Sequence, residues 1–141
     1  FIDDAYVFGQ VAANHALSDI FAMGAKAQSA LAIATVPYGL EAKVETSIRD
    51  MMAGALDVLN EAGATLIGGH TSEGAELSLG FAINGLVDRA QIMRKGGMKP
   101  GDRLILTKAI GTGTLFAADM RQQVESKNLL LKHMTSPFGA S

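Results

Sequence analysis

The chain has 141 residues, a formal net charge of −2 and 48% hydrophobic residues, which suffices for one sizeable core or for one small domain and part of a second. This composition argues against intrinsic disorder, and the balanced charge gives no electrostatic case for a nucleic-acid partner. The lack of cysteine excludes a disulfide framework within these residues and agrees with a cytoplasmic protein. No apolar run approaches the roughly 20 residues that span a bilayer, so we expect no membrane partner.

The first half of the chain predicts a helix, a buried strand and a second helix. Asp4 has the acceptor side chain of an N-cap, and the helix that it begins should run to about Gly24. Residues 27–37 combine small and β-branched side chains without helix caps, which predicts a strand. The next segment predicts an amphipathic helix that ends before Gly63. Its apolar positions are Val44, Ile48, Met51, Met52, Ala55 and Leu59.

Two further strands are predicted after this helix. Residues 64–69, ATLIGG, indicate a short strand, and residues 70–76, HTSEGAE, a polar loop. Residues 77–87 alternate in the period of two that is typical of a strand. We expect these two strands to form a hairpin. The order of elements predicts an α+β domain with both helices on one face of a mainly antiparallel sheet.

The end of the chain is expected to begin a second domain. Residues 94–102 read as a solvated turn that holds a short basic cluster, Arg94, Lys95 and Lys99. Residues 103–108, RLILTK, predict a strand, followed by a helix from about Leu115. A boundary near Pro100 therefore divides the chain into a first domain, residues 1–100, and the start of a second α/β domain, residues 101–141.

The first helix carries an unusual polar sector, about 140° wide at 100° per residue. It contains Asn14, His15, Ser18 and Asp19. No lysine, arginine or glutamate occurs from position 6 to position 25, unlike a solvated helix face. An ion, a ligand or another chain could face this sector, or Asp19 could accept hydrogen bonds in a satisfied buried network. One His–Asp pair does not define a zinc site, which needs three or four ligands.

Two glycine-rich motifs offer anion-binding chemistry. In GGHTSEG, residues 68–74, the glycines let the backbone approach a ligand, while the amides and hydroxyls of His70, Thr71 and Ser72 can donate to phosphate oxygens. TKAIGTGT, residues 107–114, lies before a predicted helix, whose N-terminus favours anions. Taken alone, each motif is at least as well explained as an ordinary glycine-rich connection.

Together, four segments resemble the selenophosphate synthetases (selenide, water dikinases), members of the ATP-binding superfamily that includes aminoimidazole ribonucleotide (AIR) synthetase. The segments are NHALSDIFAMGA, ALAIATVPYG, GGHTSEG and ILTKAIGTGTL, in the expected order from Phe1 to about Met120. His70 makes the likeness specific, because relatives in the superfamily typically carry an acidic residue after the paired glycines.

The resemblance implies a ferredoxin-like domain of the AIR synthetase N-terminal type. It also implies an enzyme that converts ATP, selenide and water to selenophosphate, AMP and orthophosphate with Mg²⁺. In this family the position of Asp19 contacts Mg²⁺ and ATP, and the positions of Gly69, His70 and Thr71 contact the nucleotide. The polar sector of the first helix would then face a metal–nucleotide site in a homodimer. Phosphoryl transfer requires mainly positioning and charge neutralisation, which agrees with these residue types.

The same resemblance places other parts of the enzyme outside the chain. The family's catalytic cysteine or selenocysteine, its lysine and further aspartates would precede Phe1, so we expect no catalytic residue here and no turnover by this chain alone. Ala109 stands where the family usually has proline. One alternative is another ATP-dependent relative, such as thiamine monophosphate kinase or a hydrogenase maturation factor, although His70 argues against it. A second alternative is a dimerisation module, because strand 77–87 has an apolar face.

Overall fold

The computed structural model describes residues 4–106, 110–121 and 123. Its elements in chain order are helix α1 (Ala5–Ala22), strand β1 (Lys26–Pro37), helix α2 (Glu41–Glu61), strands β2 (Thr65–Gly74) and β3 (Ser78–Leu86), and helix α3 (Thr112–Met120). The described residues up to Met93 form one compact unit, and those from Arg94 onward form a second. The domain boundary near Pro100 stays a prediction.

The two long helices begin and end largely as their sequences predict. The Asp4 carboxylate caps α1 by accepting a hydrogen bond of 3.2 Å from the backbone N–H of Val7. Gly24 follows α1 with a φ of +71°, and Gly63 follows α2 with a φ of +73°. In both cases the glycine and the next residue donate N–H groups to carbonyls of the last turn, which closes the helix. The predicted stops at Gly24 and Gly63 are confirmed.

The three strands form a mixed sheet in the order β2-β1-β3. Strand β1 pairs parallel with β2 and antiparallel with β3. The predicted α+β class is confirmed, although the sheet is mixed rather than mainly antiparallel. The predicted hairpin is wrong, because β2 and β3 lie on opposite sides of β1. Helix α2 provides the long crossover that parallel β1 and β2 require, and β3 then takes the other edge of β1.

Strand β2 continues through the segment that was predicted to be a polar loop. His70 pairs with Ile33, and the ladder with β1 runs on to Gly74. The pairing contains a bulge, since Ala30 is opposite Leu66 but Leu31 is opposite Gly68, which leaves Ile67 as the extra residue. Glycine suits position 68, where φ is +154°.

Both helices cover the same face of the sheet. Helix α1 packs on β3 and β1, and α2 packs on β1 and β2. Alternate residues of β1 are buried beneath them: Ala30, Ala32, Ala34 and Val36. The same face of β3 contributes half-buried residues, including Phe81 and Ile83, to the core around Leu17 and Leu59.

Neither α1 nor α2 covers the opposite face of the sheet, and we call it the open face. Its members on β1 and β2 include Lys26, Ser29, Leu31, Ile33, Thr35, Gly68, His70 and Ser72, and those on β3 are Ser78, Gly80, Ala82, Asn84 and Leu86. Leu31 is 39% exposed and Ile33 57% exposed. The apolar side chains of β3 that suggested a dimer surface pack instead beneath α1. The large apolar side chains exposed on this face are Leu31 and Ile33 of β1 and Leu86 of β3.

Helices α1 and α2 cross at two glycines. A Cβ atom added to Gly9 would overlap the backbone carbonyl of Met51, and one added to Gly54 would overlap the carbonyl of Tyr6. Both glycines are buried, as are Ala13 and Ala55 beside them. The two helix backbones are therefore in direct contact, which larger side chains at these positions would prevent.

The second unit contains one described helix. Residues 102–106 lie outside any helix or strand, so this part of the predicted strand 103–108 is wrong, and residues 107–109 lie outside the described residues. Helix α3 starts at Thr112, three positions before the predicted start, after Gly111 with a φ of +107°. Arg94, Lys95 and Lys99 are exposed in an irregular segment, as predicted. None of the described helices is long and apolar enough to cross a membrane.

We expect Gly9→Ala or Gly54→Ala to lower the free energy of unfolding by about 3 kcal/mol or more, because the new methyl group forces two packed backbones apart. This loss outweighs the gain of about 1 kcal/mol in helix propensity that alanine provides over glycine. Urea denaturation of the purified variants measures the change.

The matched control is Gly113→Ala in α3, where an added Cβ would meet nothing within 4 Å. We expect this control to be neutral or slightly stabilising. Equal stability of all three variants would contradict the close crossing of α1 and α2.

Candidate functional site

Asp19 lies in the last turn of α1 with an exposed side chain. Its side chain is exposed and its carboxylate makes no hydrogen bond within the part of the chain that the structure describes, so the alternative of a satisfied buried network is wrong for this residue. No basic residue lies in the last turn of α1. A carboxylate at the negative end of a helix is unfavourable by a few tenths of a kcal/mol or more, which leaves Asp19 available for a cation.

The rest of the polar sector divides between solvent and interior. His15 is exposed, and its backbone carbonyl accepts a hydrogen bond of 2.6 Å from the Ser18 hydroxyl. Asn14 is half-buried, and its side-chain nitrogen is buried without a hydrogen-bond partner among the described residues. The sector therefore presents His15 and Asp19 outward, while Asn14 points into the unit.

Gly69, His70 and Thr71 lie at consecutive positions of β2, and all three are exposed. A Cβ atom on Gly69 would overlap the backbone carbonyl of Ala32 on β1, so the close approach of the two strands already requires glycine here. His70 lies on the open face beside Ile33, and Thr71 lies on the other face opposite Ala34. Neither side chain makes a hydrogen bond to another described residue, so the imidazole and the hydroxyl could bind a ligand.

The described part of one chain does not bring Asp19 together with Gly69–Thr71. Helix α1 packs on α2, β1 and β3, and it makes no contact with β2. The described residues also contain no group of three or more histidine, aspartate or glutamate side chains that could hold a metal ion. Asp19 alone fits one part of a magnesium site, because Mg²⁺ typically binds one or two carboxylates together with phosphate oxygens and water.

The motif TKAIGTGT is described only in part, because residues 107–109 lie outside the described residues. Its GTGT portion forms the start of α3, and no side chain caps this helix. Its interpretation as an anion site at a helix N-terminus stays a prediction, as does that of an ordinary connection into a helix.

A polar contact that the sequence did not indicate joins the two helices. The Tyr6 hydroxyl of α1 donates a short hydrogen bond to the Asp57 carboxylate of α2. This bond raises the pKa of the Tyr6 phenol, with smaller contributions from partial burial and from the charge of Asp57. The two residues are 51 positions apart, and no local motif links them.

A cavity of about 220 Å³ lies where β1 ends and α2 begins. Its lining is mostly apolar, with Lys43 as the charged residue, and includes Val36, Tyr38, Val44 and Leu77. None of the predicted site residues lines it, so this cavity does not support the predicted nucleotide site.

The fold and the sequence together identify the family of this chain. Residues 1–87 match the family described as AIR synthase related protein, N-terminal domain. The chain belongs to this family, and the matched region contains α1, α2 and all three strands, with all four predicted site residues.

Curated relatives named selenide, water dikinase are similar to most of the chain. The protein of Geobacter metallireducens is 46% identical over 123 residues, which cover 84% of this chain and 35% of that protein. The protein of Nitrosomonas eutropha is 40% identical over 129 residues, which cover 92% of this chain and 36% of that protein. The chain thus spans about a third of the length of these relatives.

Solved structures share the fold at low sequence identity. Thiamine monophosphate kinase from Aquifex aeolicus matches with a TM-score of 0.72 at 16% identity, over 92% of this chain and 45% of that one. The hydrogenase maturation protein HypE, solved in complex with ATP, matches with a TM-score of 0.71 at 17% identity, over 83% of this chain and 36% of that one. These structures support the α+β fold.

We expect Tyr6 to ionise above its ordinary pKa of 10.0. Because the folded state favours the protonated phenol, its stabilising contribution is complete below pH 10 and is lost as the pH rises through the raised pKa of the folded state. Absorbance at 295 nm, recorded in a Tyr38→Phe background, follows the Tyr6 titration. Asp57→Asn should move the titration to lower pH, and an unchanged midpoint would contradict the role of the carboxylate.

Proposed function

We propose that this chain is the nucleotide-binding part of a selenide, water dikinase, which converts ATP, selenide and water to selenophosphate, AMP and orthophosphate. The observation that carries the proposal is the identity of 46% to a selenide, water dikinase over 123 residues. This identity extends through 84% of the chain, so it cannot arise from a single shared motif.

The proposed role of Asp19 is to bind Mg²⁺ that is held by ATP. Its exposed carboxylate has no partner among the described residues and lies at the negative end of α1. Bound magnesium would neutralise charge on the triphosphate, which is the main electrostatic requirement of phosphoryl transfer. Asp19 would supply one oxygen ligand of this metal.

The proposed role of Gly69, His70 and Thr71 is to contact the nucleotide. The backbone of Gly69 is exposed. The side chains of His70 and Thr71 follow it in β2 and are exposed on opposite faces of the strand. Imidazole and hydroxyl groups can donate hydrogen bonds to phosphate oxygens. Histidine at position 70 also supports this activity over that of a thiamine monophosphate kinase or a hydrogenase maturation protein.

We further propose that the protein forms a homodimer through the open face. His70 lies near the centre of this face and Lys26 at its end, opposite Leu86, and the face exposes Leu31, Ile33 and Leu86. Exposed apolar surface of this kind is typical of an interface. Helix α1 and strand β2 of one copy do not contact each other. In a dimer, Asp19 of one copy and Gly69–Thr71 of the other could form one site. Dimerisation and nucleotide binding would then be coupled, in the cytoplasm that the absence of cysteine favours.

In the complete protein, we expect Asp19→Asn to abolish measurable Mg-ATP binding and selenide-dependent turnover, because the substitution keeps the size of the side chain but removes its charge. The melting temperature should stay the same or rise slightly, since Asp19 has no hydrogen-bond partner among the described residues and is unfavourable at the end of α1. Calorimetric titration with Mg-ATP and thermal unfolding of the same sample measure both quantities.

The matched control is Asp50→Asn, which removes another exposed carboxylate, from α2. This variant should bind Mg-ATP as the wild type does. A large fall in melting temperature for Asp19→Asn with normal binding would exclude the metal role.

We expect light scattering of the complete protein to give twice the chain mass, and Ile33→Glu to give a monomer, because it places a charge in the centre of the open face. The melting profile of the monomer should remain cooperative, since Ile33 is 57% exposed and lies outside the core. Ala53→Glu, at an exposed position of α2, is the control and should remain dimeric. A wild-type monomer at high micromolar concentration would refute the dimer.

A further inference from the structure

Three hydroxyl groups form a row across the open face at the carboxyl end of β1. Thr35 on β1 is opposite Ser72 on β2 and opposite Ser78 on β3. The hydroxyl oxygens of Thr35 and Ser72 lie 3.3 Å apart and share a hydrogen bond. Within the described residues, this is the one hydrogen bond that joins side chains of different strands.

Thr35 also contacts β2 through its methyl group. A Cβ atom placed on Gly74 would lie 2.5 Å from the Cγ2 atom of Thr35, so the methyl group occupies the space that the glycine leaves free. Thr35 therefore contacts β2 at two positions, Ser72 and Gly74, that follow Gly69–Thr71 directly in the chain. Its hydroxyl contacts Ser72 and its methyl group contacts Gly74, so both groups restrain the end of β2.

The segment 69–71 has few other constraints. Strand β2 pairs with β1 alone in the described sheet, so it is an edge strand. The bulge at Ile67 interrupts the ladder on the amino side of the segment. The side chains of His70 and Thr71 make no hydrogen bonds within the described part of the chain. In addition to the backbone hydrogen bonds with β1, the contacts of Thr35 with Ser72 and Gly74 restrain β2 on the carboxyl side of the segment.

We propose that Thr35 is a positioning residue for Gly69–Thr71: through Ser72 and Gly74 it fixes the strand that presents these residues to a nucleotide. The proposal rests on the proposed function for its effect on ATP, but the restraint of β2 by Thr35 is a property of the chain itself. A hydroxyl–hydroxyl distance of 3.3 Å is long for such a bond. The effect should therefore be modest and local.

The test compares Thr35→Val, Thr35→Ser, Ser72→Ala and their double variant in the complete protein. Thr35→Val keeps the shape of the side chain and removes the hydroxyl, whereas Thr35→Ser keeps the hydroxyl. Ser78→Ala is the matched control, because it removes a hydroxyl from the same row on the strand that does not carry the segment. Amide hydrogen exchange without nucleotide reports on β2, and calorimetric titration reports the Kd for Mg-ATP.

We expect Thr35→Val to speed exchange of amides 69–74 and to raise the Kd about two- to tenfold, with kcat unchanged. Thr35→Ser keeps the hydrogen bond to Ser72 and loses only the methyl contact with Gly74, so both values should lie between those of the wild type and Thr35→Val. The Thr35→Val/Ser72→Ala double variant should equal either single variant, because both remove the same contact. Ser78→Ala should behave as the wild type.

Unchanged exchange in Thr35→Val, or an equal effect of Ser78→Ala, would overturn the proposal. An additive double variant would overturn it as well, because Ser72 would then act independently of Thr35. If the wild type binds no Mg-ATP, the proposed function fails, while the exchange of amides 69–74 still decides whether Thr35 restrains β2. The two failures are thus distinguishable.

Discussion

The backbone contact between α1 and α2 at Gly9 and Gly54 determines how the helix layer fits the sheet. Packed helices typically lie 8–10 Å apart, and neighbouring strands about 4.8 Å apart. Two helices at close spacing therefore match the width of three strands, so that α1 lies over β3 and α2 over β1 and β2. The alanines of β1 allow the same close approach between layers. Asp19 owes its exposure to this packing, because α1 turns its other sides to α2 and the sheet.

The elements that local chemistry specifies could be predicted from the sequence. The cap at Asp4, the stops at Gly24 and Gly63, and the apolar spacing in α2 all depend on neighbours within a few residues. Strand pairing depends on residues far apart, and the pattern of two successive strands does not distinguish a hairpin from two strands that flank a third. Strand β2 was shortened in the prediction because its second half is exposed on both faces and lacks the alternation of a half-buried strand.

For the candidate site, the sequence predicted residue types and their chemistry but not their arrangement. Asp19 was noticed because the surrounding helix lacks the lysine, arginine and glutamate of a solvated face. His70 was noticed because it follows two consecutive glycines. Whether they meet depends on topology, which places β2 on the side of β1 away from α1. The Tyr6–Asp57 contact had no local signal, since neither residue belongs to a motif. The glycine at 69 was interpreted as an approach to a ligand, whereas the packing against Ala32 already requires it.

The extra residue in β2 determines which surface of the sheet carries the imidazole. Side chains alternate between the two faces of a strand. When one residue is left out of the pairing as a bulge, each residue after it lies on the face opposite to the one that strict alternation would give it. With Ile67 bulged, His70 and Ser72 share the side of Leu31 and Ile33. In an unbulged strand they would lie toward α2, and Thr71 would lie on the opposite side. The presence of the bulge therefore determines the face on which His70 lies, just as the residue type determines its chemistry. If Ile67 were paired in the ladder instead of bulged, the two surfaces of the following residues would be exchanged without a change in any functional group.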